Sequence, residues 1–284
     1  MPIDVSKALG ASLPDGASTW GPDDVMLYHI GVGAGVPATD PNELEYTYEQ
    51  NLKVLPSFGV IPVFGTLMGV MNVPGVQINP MMILHGEQDL EIHKPIPTSA
   101  KATHAAKVVE IWDREKGASI VLEAKTTDES GEPLFTNRFS VYVRGEGGFG
   151  GERGPRPGNL PPEREPDVVV ERATLPQQAL LYRLSGDKNP LHADPSFAAM
   201  GGFDKPILHG LCTFGIVCKA VVDNVLDGDV TKVARYQVRF AGVVYPGETI
   251  VTNVWKEGDQ LLIRALVKER EAPALTNAAI TVRT

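Results

Sequence analysis

One stretch limits what this 284-residue chain can fold into. Residues 145–167 read GEGGFGGERGPRPGNLPPEREPD, with glycine and proline too frequent for a helix or strand to propagate. Within it, Gly145-x-Gly147-x-x-Gly150 follows an apparent strand at Arg138–Arg144 and has the outline of a dinucleotide-binding fingerprint. That fingerprint needs a helix next, and prolines at 155, 157, 161 and 162 forbid one. The stretch is a linker, which predicts an N-terminal unit at 1–150, a linker at 151–167 and a C-terminal unit at 168–284.

The flanking halves share a texture. Alternating, β-branched segments predict strands at Ala106–Trp112, Ser119–Lys125 and Asn137–Val143 in the first half. The second half offers Arg235–Val244, Glu248–Trp255, Gln260–Lys268 and Ala278–Arg283. Each half also has one long apolar segment suited to a buried helix, Phe58–Val70 and Gly210–Val225. Antiparallel strands wrapped around an apolar helix, twice over, make an α+β protein. Shifted by 154 residues, Pro22, Leu27, Tyr28, Asp40 and Pro41 fall on Pro176, Leu181, Tyr182, Asp194 and Pro195 without a gap. In the same alignment Asp187, Asn189 and His192 face Gly33, Gly35 and Ala38, so only the second copy is equipped for chemistry.

Composition narrows the partners. A net charge of −9 and the lack of a basic stripe argue against nucleic acid, while leaving room for a small polyanion held by a few local Lys or Arg side chains. No run of about 18 apolar residues suggests a membrane span. The opening Met1-Pro2-Ile3-Asp4-Val5 is unlike a signal peptide, and the closing Thr281-Val282-Arg283-Thr284 is unlike a peroxisomal address, so a cytoplasmic location is expected. Cys212 and Cys218 are expected to be buried thiols on different faces of one helix, not a disulfide or a zinc site.

The chemistry concentrates in Tyr182-Arg-Leu-Ser-Gly-Asp-Lys-Asn-Pro-Leu-His-Ala-Asp-Pro195 and Phe203-Asp-Lys-Pro-Ile-Leu-His-Gly-Leu211. Gly186 and Asn189-Pro190 force an irregular backbone that lets Asp187 and His192 converge. Asp194-Pro195 predicts the capped start of a short helix through Met200. Gly210 opens the long apolar helix, where backbone N–H groups lack partners and the dipole favours negative charge. An aspartate to take a proton, a histidine to shuttle one and an N–H to hold a carbonyl oxygen are what adding water to a conjugated thioester requires. Bland readings exist for each: a turn cap, a core histidine, a packing glycine. Ser185 lacks the Gly-x-Ser-x-Gly elbow of a hydrolase, and His192, Asp194 and His209 match no familiar zinc spacing.

This segment resembles the signature of the 2-enoyl-CoA hydratase 2 family, the MaoC-like (R)-specific hydratases. Leu55-Pro-Ser-Phe-Gly59, Leu84-His-Gly-Glu-Gln88 and Gly147-Gly-Phe-Gly-Gly151 extend the likeness to two-domain members similar to the hydratase part of peroxisomal multifunctional enzyme type 2. The resemblance implies a double hot-dog fold, in which an N-terminal copy without catalytic residues walls the substrate, and syn hydration of a trans-2-enoyl-CoA to a (3R)-3-hydroxyacyl-CoA. It implies that Asp187 and His192 activate water, Asn189 orients it, and the Gly210 N–H binds the thioester oxygen. Coenzyme A and acyl contacts would fall on His85, Gly86, Lys116 and Phe240. The family needs neither metal nor redox cofactor, coenzyme A being part of the substrate, and its habit, with the exposed edges of such sheets, implies a homodimer.

Three rivals remain at this level: a dehydratase of carrier-protein thioesters, a hot-dog thioesterase releasing free thiol, and a non-catalytic acyl-CoA sensor. The apolar, irregular region Val54–Pro80, with Phe58, Phe64, Met68 and Met71, is suited to a roomy acyl tunnel for long or bulky chains, a steroid side chain included, or simply to a core helix and loop.

Overall fold

A computed structural model of the chain describes residues 3–79 and 82–283. After a short helix α1 (Val5–Ala8), the first half runs β1 (Gly16–Trp20), α2 (Pro22–Gly31), α3 (Pro41–Thr47), α4 (Phe64–Leu67), β2 (Ile83–Ile92), β3 (Ala100–Asp113), β4 (Gly117–Asp128) and β5 (Pro133–Arg144). The second half runs β6 (Val168–Ala173), α5 (Gln178–Tyr182), α6 (Pro195–Met200), α7 (Gly210–Val225), β7 (Val233–Phe240), β8 (Thr249–Glu257), β9 (Gln260–Val267) and β10 (Ala272–Val282). The strands form one antiparallel sheet in the order β1-β3-β4-β5-β2-β7-β10-β9-β8-β6. Read from either edge inward, the order of the two halves is the same, as a duplication requires. The seam is β2 against β7, from Glu87 opposite Arg239 to Glu91 opposite Arg235.

Helix α7 is the axis of the second half. Leu211 through Val222 are all buried, so the helix is apolar all round and enclosed. It ends where Asp227 and Gly228 turn left-handed, at φ 57° and 75°, with the Gly228 N–H reaching back to the Val222 carbonyl. Cys212 and Cys218 are buried, free and part of this core.

The corresponding segment of the first half departs from expectation. Instead of one helix over Phe58–Val70 there are a 3-10 turn at Pro56–Val60, the single turn of α4, and another 3-10 turn at Met68–Asn72. Pro62 has no N–H to give and its ring crowds the preceding turn, while Gly59, Gly65 and Gly69 weaken what remains. Most of the apolar side chains stay inside nonetheless: Phe58, Val60, Val63, Leu67 and Val70 are buried, Ile61 and Phe64 are half-buried, and Met68 is exposed. Pro80, the last residue of the region read as a tunnel, lies outside the described residues.

The strand expectations hold in place and shift in extent. β7 stops at Phe240 and does not reach Val244; one more bond to β10, from the Ala241 N–H to the Ala274 carbonyl, follows before the chain turns away at Gly242, where a Cβ would lie 2.4 Å from the Pro273 carbonyl. β10 begins at Ala272 rather than Ala278, through a register shift around the left-handed Asn277. β1, β2 and β6 had no sequence expectation. In β2, Gly86 and the acidic residues hide the alternation.

The linker contains no helix or strand, but it is tied down. Asp113, at the end of β3, accepts the N–H groups of Glu115 and Gly148 on one oxygen and of Gly150 on the other, and these bonds hold its carboxyl below the usual range. Further on, Asn277 donates to the Gly158 carbonyl, so the strap crosses the sheet near the seam.

Candidate active site

The loop from Gly186 to Asp194 carries the site. Gly186 takes φ 139° at the end of the α5 segment, a conformation that favours glycine. The Asp187 carboxylate then accepts the Asn189 N–H at 3.1 Å, and Asn189 Oδ1 caps the single turn Pro190–His192 by accepting the Leu191 N–H at 3.0 Å. Asp194 accepts the N–H groups of Ser196 and Phe197 and opens α6, as its sequence predicts. These local bonds fold a short polar loop into one shape and deliver Asp187, half-buried, and His192, buried, to the same point.

His209 joins them. One ligand atom from each of Asp187, His192 and His209 lies within 4.8 Å of the others, and the two imidazoles stack with centroids 3.7 Å apart and planes 28° from parallel. Asp194, the carboxylate grouped with these histidines in the sequence, is engaged as a helix cap instead. The stacking also bears on metal binding. A metal bound by both imidazoles lies near both ring planes at about 2 Å from each nitrogen, and nearly parallel planes do not meet that close.

Protonation follows from the partners. His192 Nδ1 lies 2.9 Å from the Ile207 carbonyl oxygen and so donates to it, which leaves Nε2 with its lone pair free. Burial pushes the His192 pKa down, opposed by the Ile207 bond and the Asp187 charge, so the ring is neutral at physiological pH. Burial, and then the His192 neighbour, push His209 down to about 2.

Gly210 is the first residue of α7, with His209 as its cap, so its N–H has no intrahelical acceptor. The ring of Phe240 covers it closely enough that a Cβ would meet two ring carbons at 3.1 Å. Phe240 in turn lies 4.5 Å from His85, which stacks on Phe139 at 3.6 Å. Gly86 is the bulged residue of β2, where the pairing slips between His85–Val141 and Glu87–Ser140, and the bulge turns His85 toward Phe240. Burial pushes the His85 pKa down to about 3.

His85, Gly86 and Phe240 line a cavity of about 660 Å³ at the seam, walled also by Arg114, Arg138, Arg235, Arg239 and by the linker residues Pro155–Asn159. Arg138 pairs with Glu110 and Arg235 with Asp89. Arg114, Arg156 and Arg239 make no side-chain hydrogen bond or ion pair among the described residues, and of the lining carboxylates only Glu87, opposite Arg239, is likewise without an ion pair, so the lining keeps an excess of positive charge. Sequence reasoning missed all three. Lys116 is exposed on the turn between β3 and β4 and does not line this cavity; Arg114, two residues earlier, does.

The geometry has counterparts among known proteins. Residues 19–145 match the profile of the MFE-2 hydratase 2 N-terminal domain, and residues 158–278 match the MaoC like domain. An enoyl-CoA hydratase of Mycobacterium tuberculosis, ChsH3, is 49% identical over 282 residues, 99% of this chain and 97% of the relative. A solved MaoC-like dehydratase from Phytophthora capsici superposes with a TM-score of 0.87 at 32% identity, covering 99% of both chains. In fold alone, the chain is also similar to a Mycobacterium tuberculosis protein described as a double hot-dog (TM-score 0.62, 13% identity, 97% of this chain and 96% of that one). The chain belongs to the MaoC-like 2-enoyl-CoA hydratase 2 family, and its ten-stranded sheet is a double hot-dog.

Proposed function

We propose that the protein is an (R)-specific 2-enoyl-CoA hydratase, a hydro-lyase that reversibly adds water to trans-2-enoyl-CoA to give (3R)-3-hydroxyacyl-CoA in β-oxidation. The observation that carries the reading is the convergence of Asp187 and His192 beside the unpaired N–H at the start of α7. Water is held between the Asp187 carboxylate and His192 Nε2, with the Asn189 amide as its third partner. Its oxygen attacks C3 as its proton passes to this pair. Negative charge moves to the thioester oxygen, where the Gly210 N–H and the α7 dipole receive it, and the proton is returned at C2. Proton transfer and carbonyl polarisation are complete with these groups, so no metal or redox cofactor enters.

The coenzyme A portion occupies the seam cavity, where His85, Gly86 and Phe240 flank the thioester. Arg114, Arg156 and Arg239 face the phosphates, with Lys116 at the outer edge. The positive excess these guanidinium groups give the lining supports a CoA thioester over a carrier-protein one. Acceptance of long or bulky acyl chains, steroid side chains included, is part of the proposal. Action in the cytoplasm as a homodimer completes the proposal.

The test is loss of enoyl-thioester absorbance with purified protein. Asp187→Asn and His192→Gln should each lower kcat about 10²- to 10⁴-fold. Because burial lowers the His192 pKa, the acid limb of kcat/KM should fall below the ordinary histidine value of about 6.5. Unchanged rates in both variants would sink the reading.

A further inference from the structure

We infer that His209, outside the Asp187–His192 pair, is a positioning residue that holds the Asp187 loop by donating Nε2–H to the Asp187 backbone carbonyl. The inference rests on the hydratase reading of the site, and three observations carry it.

First, His209 Nε2 lies 3.2 Å from the Asp187 carbonyl oxygen, across 22 residues of sequence. A carbonyl only accepts, so the proton is on Nε2. This bond joins the loop to the residue next to Gly210, tying the proton-handling group to the carbonyl-binding N–H. The loop also bonds outside itself through His192 Nδ1 to the Ile207 carbonyl and Arg183 to the Lys188 carbonyl, but of these three only the His209 bond fixes the Asp187 residue itself.

Second, with Nε2 protonated, Nδ1 carries the lone pair. That atom is buried and has no hydrogen-bond partner among the described residues. An unsatisfied buried acceptor is a cost that a leucine would not bring. A side chain kept for filling space would be apolar here, so the Nε2–H bond is the gain that offsets the cost.

Third, the ring is packed between Tyr182, at 4.9 Å, and His192, at 3.7 Å. The stack restricts rotation of His192 about the bond that aims its free Nε2, as the Ile207 carbonyl does from the other side. Burial keeps the His209 ring uncharged, so it orients the pair without adding a positive charge beside it.

Two variants separate the roles. Glutamine places an amide N–H near the position of Nε2 and loses the stack, whereas phenylalanine keeps the stack and loses the donor. His209→Phe should retain the wild-type melting temperature within a few degrees, lower kcat about 30- to 100-fold and leave KM within about threefold. His209→Gln should recover at least a third of the lost kcat on a logarithmic scale. A kcat for His209→Phe within threefold of wild type overturns the inference, as does equal impairment of the two variants, which would mark a space-filling role. If the wild-type enzyme does not hydrate enoyl-CoA, the hydratase reading itself fails, which is a separate result.

Discussion

The loop from Gly33 to Ala38 and the loop from Asp187 to His192 are built on one frame and do different work. Each follows a helical segment bearing a buried tyrosine, Tyr28 or Tyr182, whose rings meet at 6.1 Å. Each leads into a Pro-initiated helix capped by an aspartate, Asp40 or Asp194. In the second half the loop presents a carboxylate and an imidazole. In the first, Gly33 and Gly35 turn left-handed at φ 89° and 86°, and the Gly35 N–H donates to Glu43 Oε2 at 2.8 Å. The other Glu43 oxygen takes Lys219 of α7 at 2.7 Å. Lys219 also holds Asp223, which accepts the Tyr46 hydroxyl. The copy that presents neither carboxylate nor imidazole in this loop thus anchors the helix whose N-terminus lies beside Asp187 and His192.

The largest effect that probes this difference comes from cutting the anchor. Lys219 is nearly inaccessible, so Lys219→Ala leaves the buried Glu43 and the half-buried Asp223 without their cation and should cost about 3 kcal/mol in urea unfolding. Replacing Glu43, Lys219 and Asp223 together by apolar residues should cost far less, since no charge is then left alone. A loss under 1 kcal/mol for the single variant would mean that the halves hold together without this contact. A smaller effect is expected at the shared cavity. Arg114→Gln, Arg156→Gln or Arg239→Gln should each raise KM about tenfold, equivalent to about 1.4 kcal/mol, at unchanged kcat. The difference should shrink at high salt. The smallest effect on rate is expected from copying the chemistry across. Gly33→Asp with Ala38→His, placed in Asp187→Asn, should recover no measurable hydration and cost about 1 kcal/mol for a side chain at positive φ. Recovered turnover would show that the two loops are closer to equivalent than their surroundings imply.

What was legible in the sequence was local. The Asp187–His192 loop, the Asp194 cap and the span of α7 are each written in a few adjacent residues, and they fold as those residues dictate. Phe58–Val70 misled because its apolar content outweighed Pro62, whose missing N–H decides the backbone while most of the apolar side chains stay inside. β2 was not legible because its partners, β5 and β7, come from distant segments and tolerate a strand rich in acid residues. The same limit hid Arg114, Arg156 and Arg239, which belong to a turn, a linker and a strand and meet only after the sheet is assembled. His209 was weighed in the sequence only as a metal ligand beside His192 and Asp194, since its bond to Asp187 engages a backbone carbonyl that carries no sequence signal.

The β2–β7 seam has a consequence for how the protein responds to dilution. Two separate chains that completed a site by pairing these strands would part when their concentration fell below the dissociation constant. Here the strap at 145–167 makes that association intramolecular, with an effective concentration on the order of millimolar for a short tether. The walls of the cavity therefore stay together in a single molecule, however scarce its copies are.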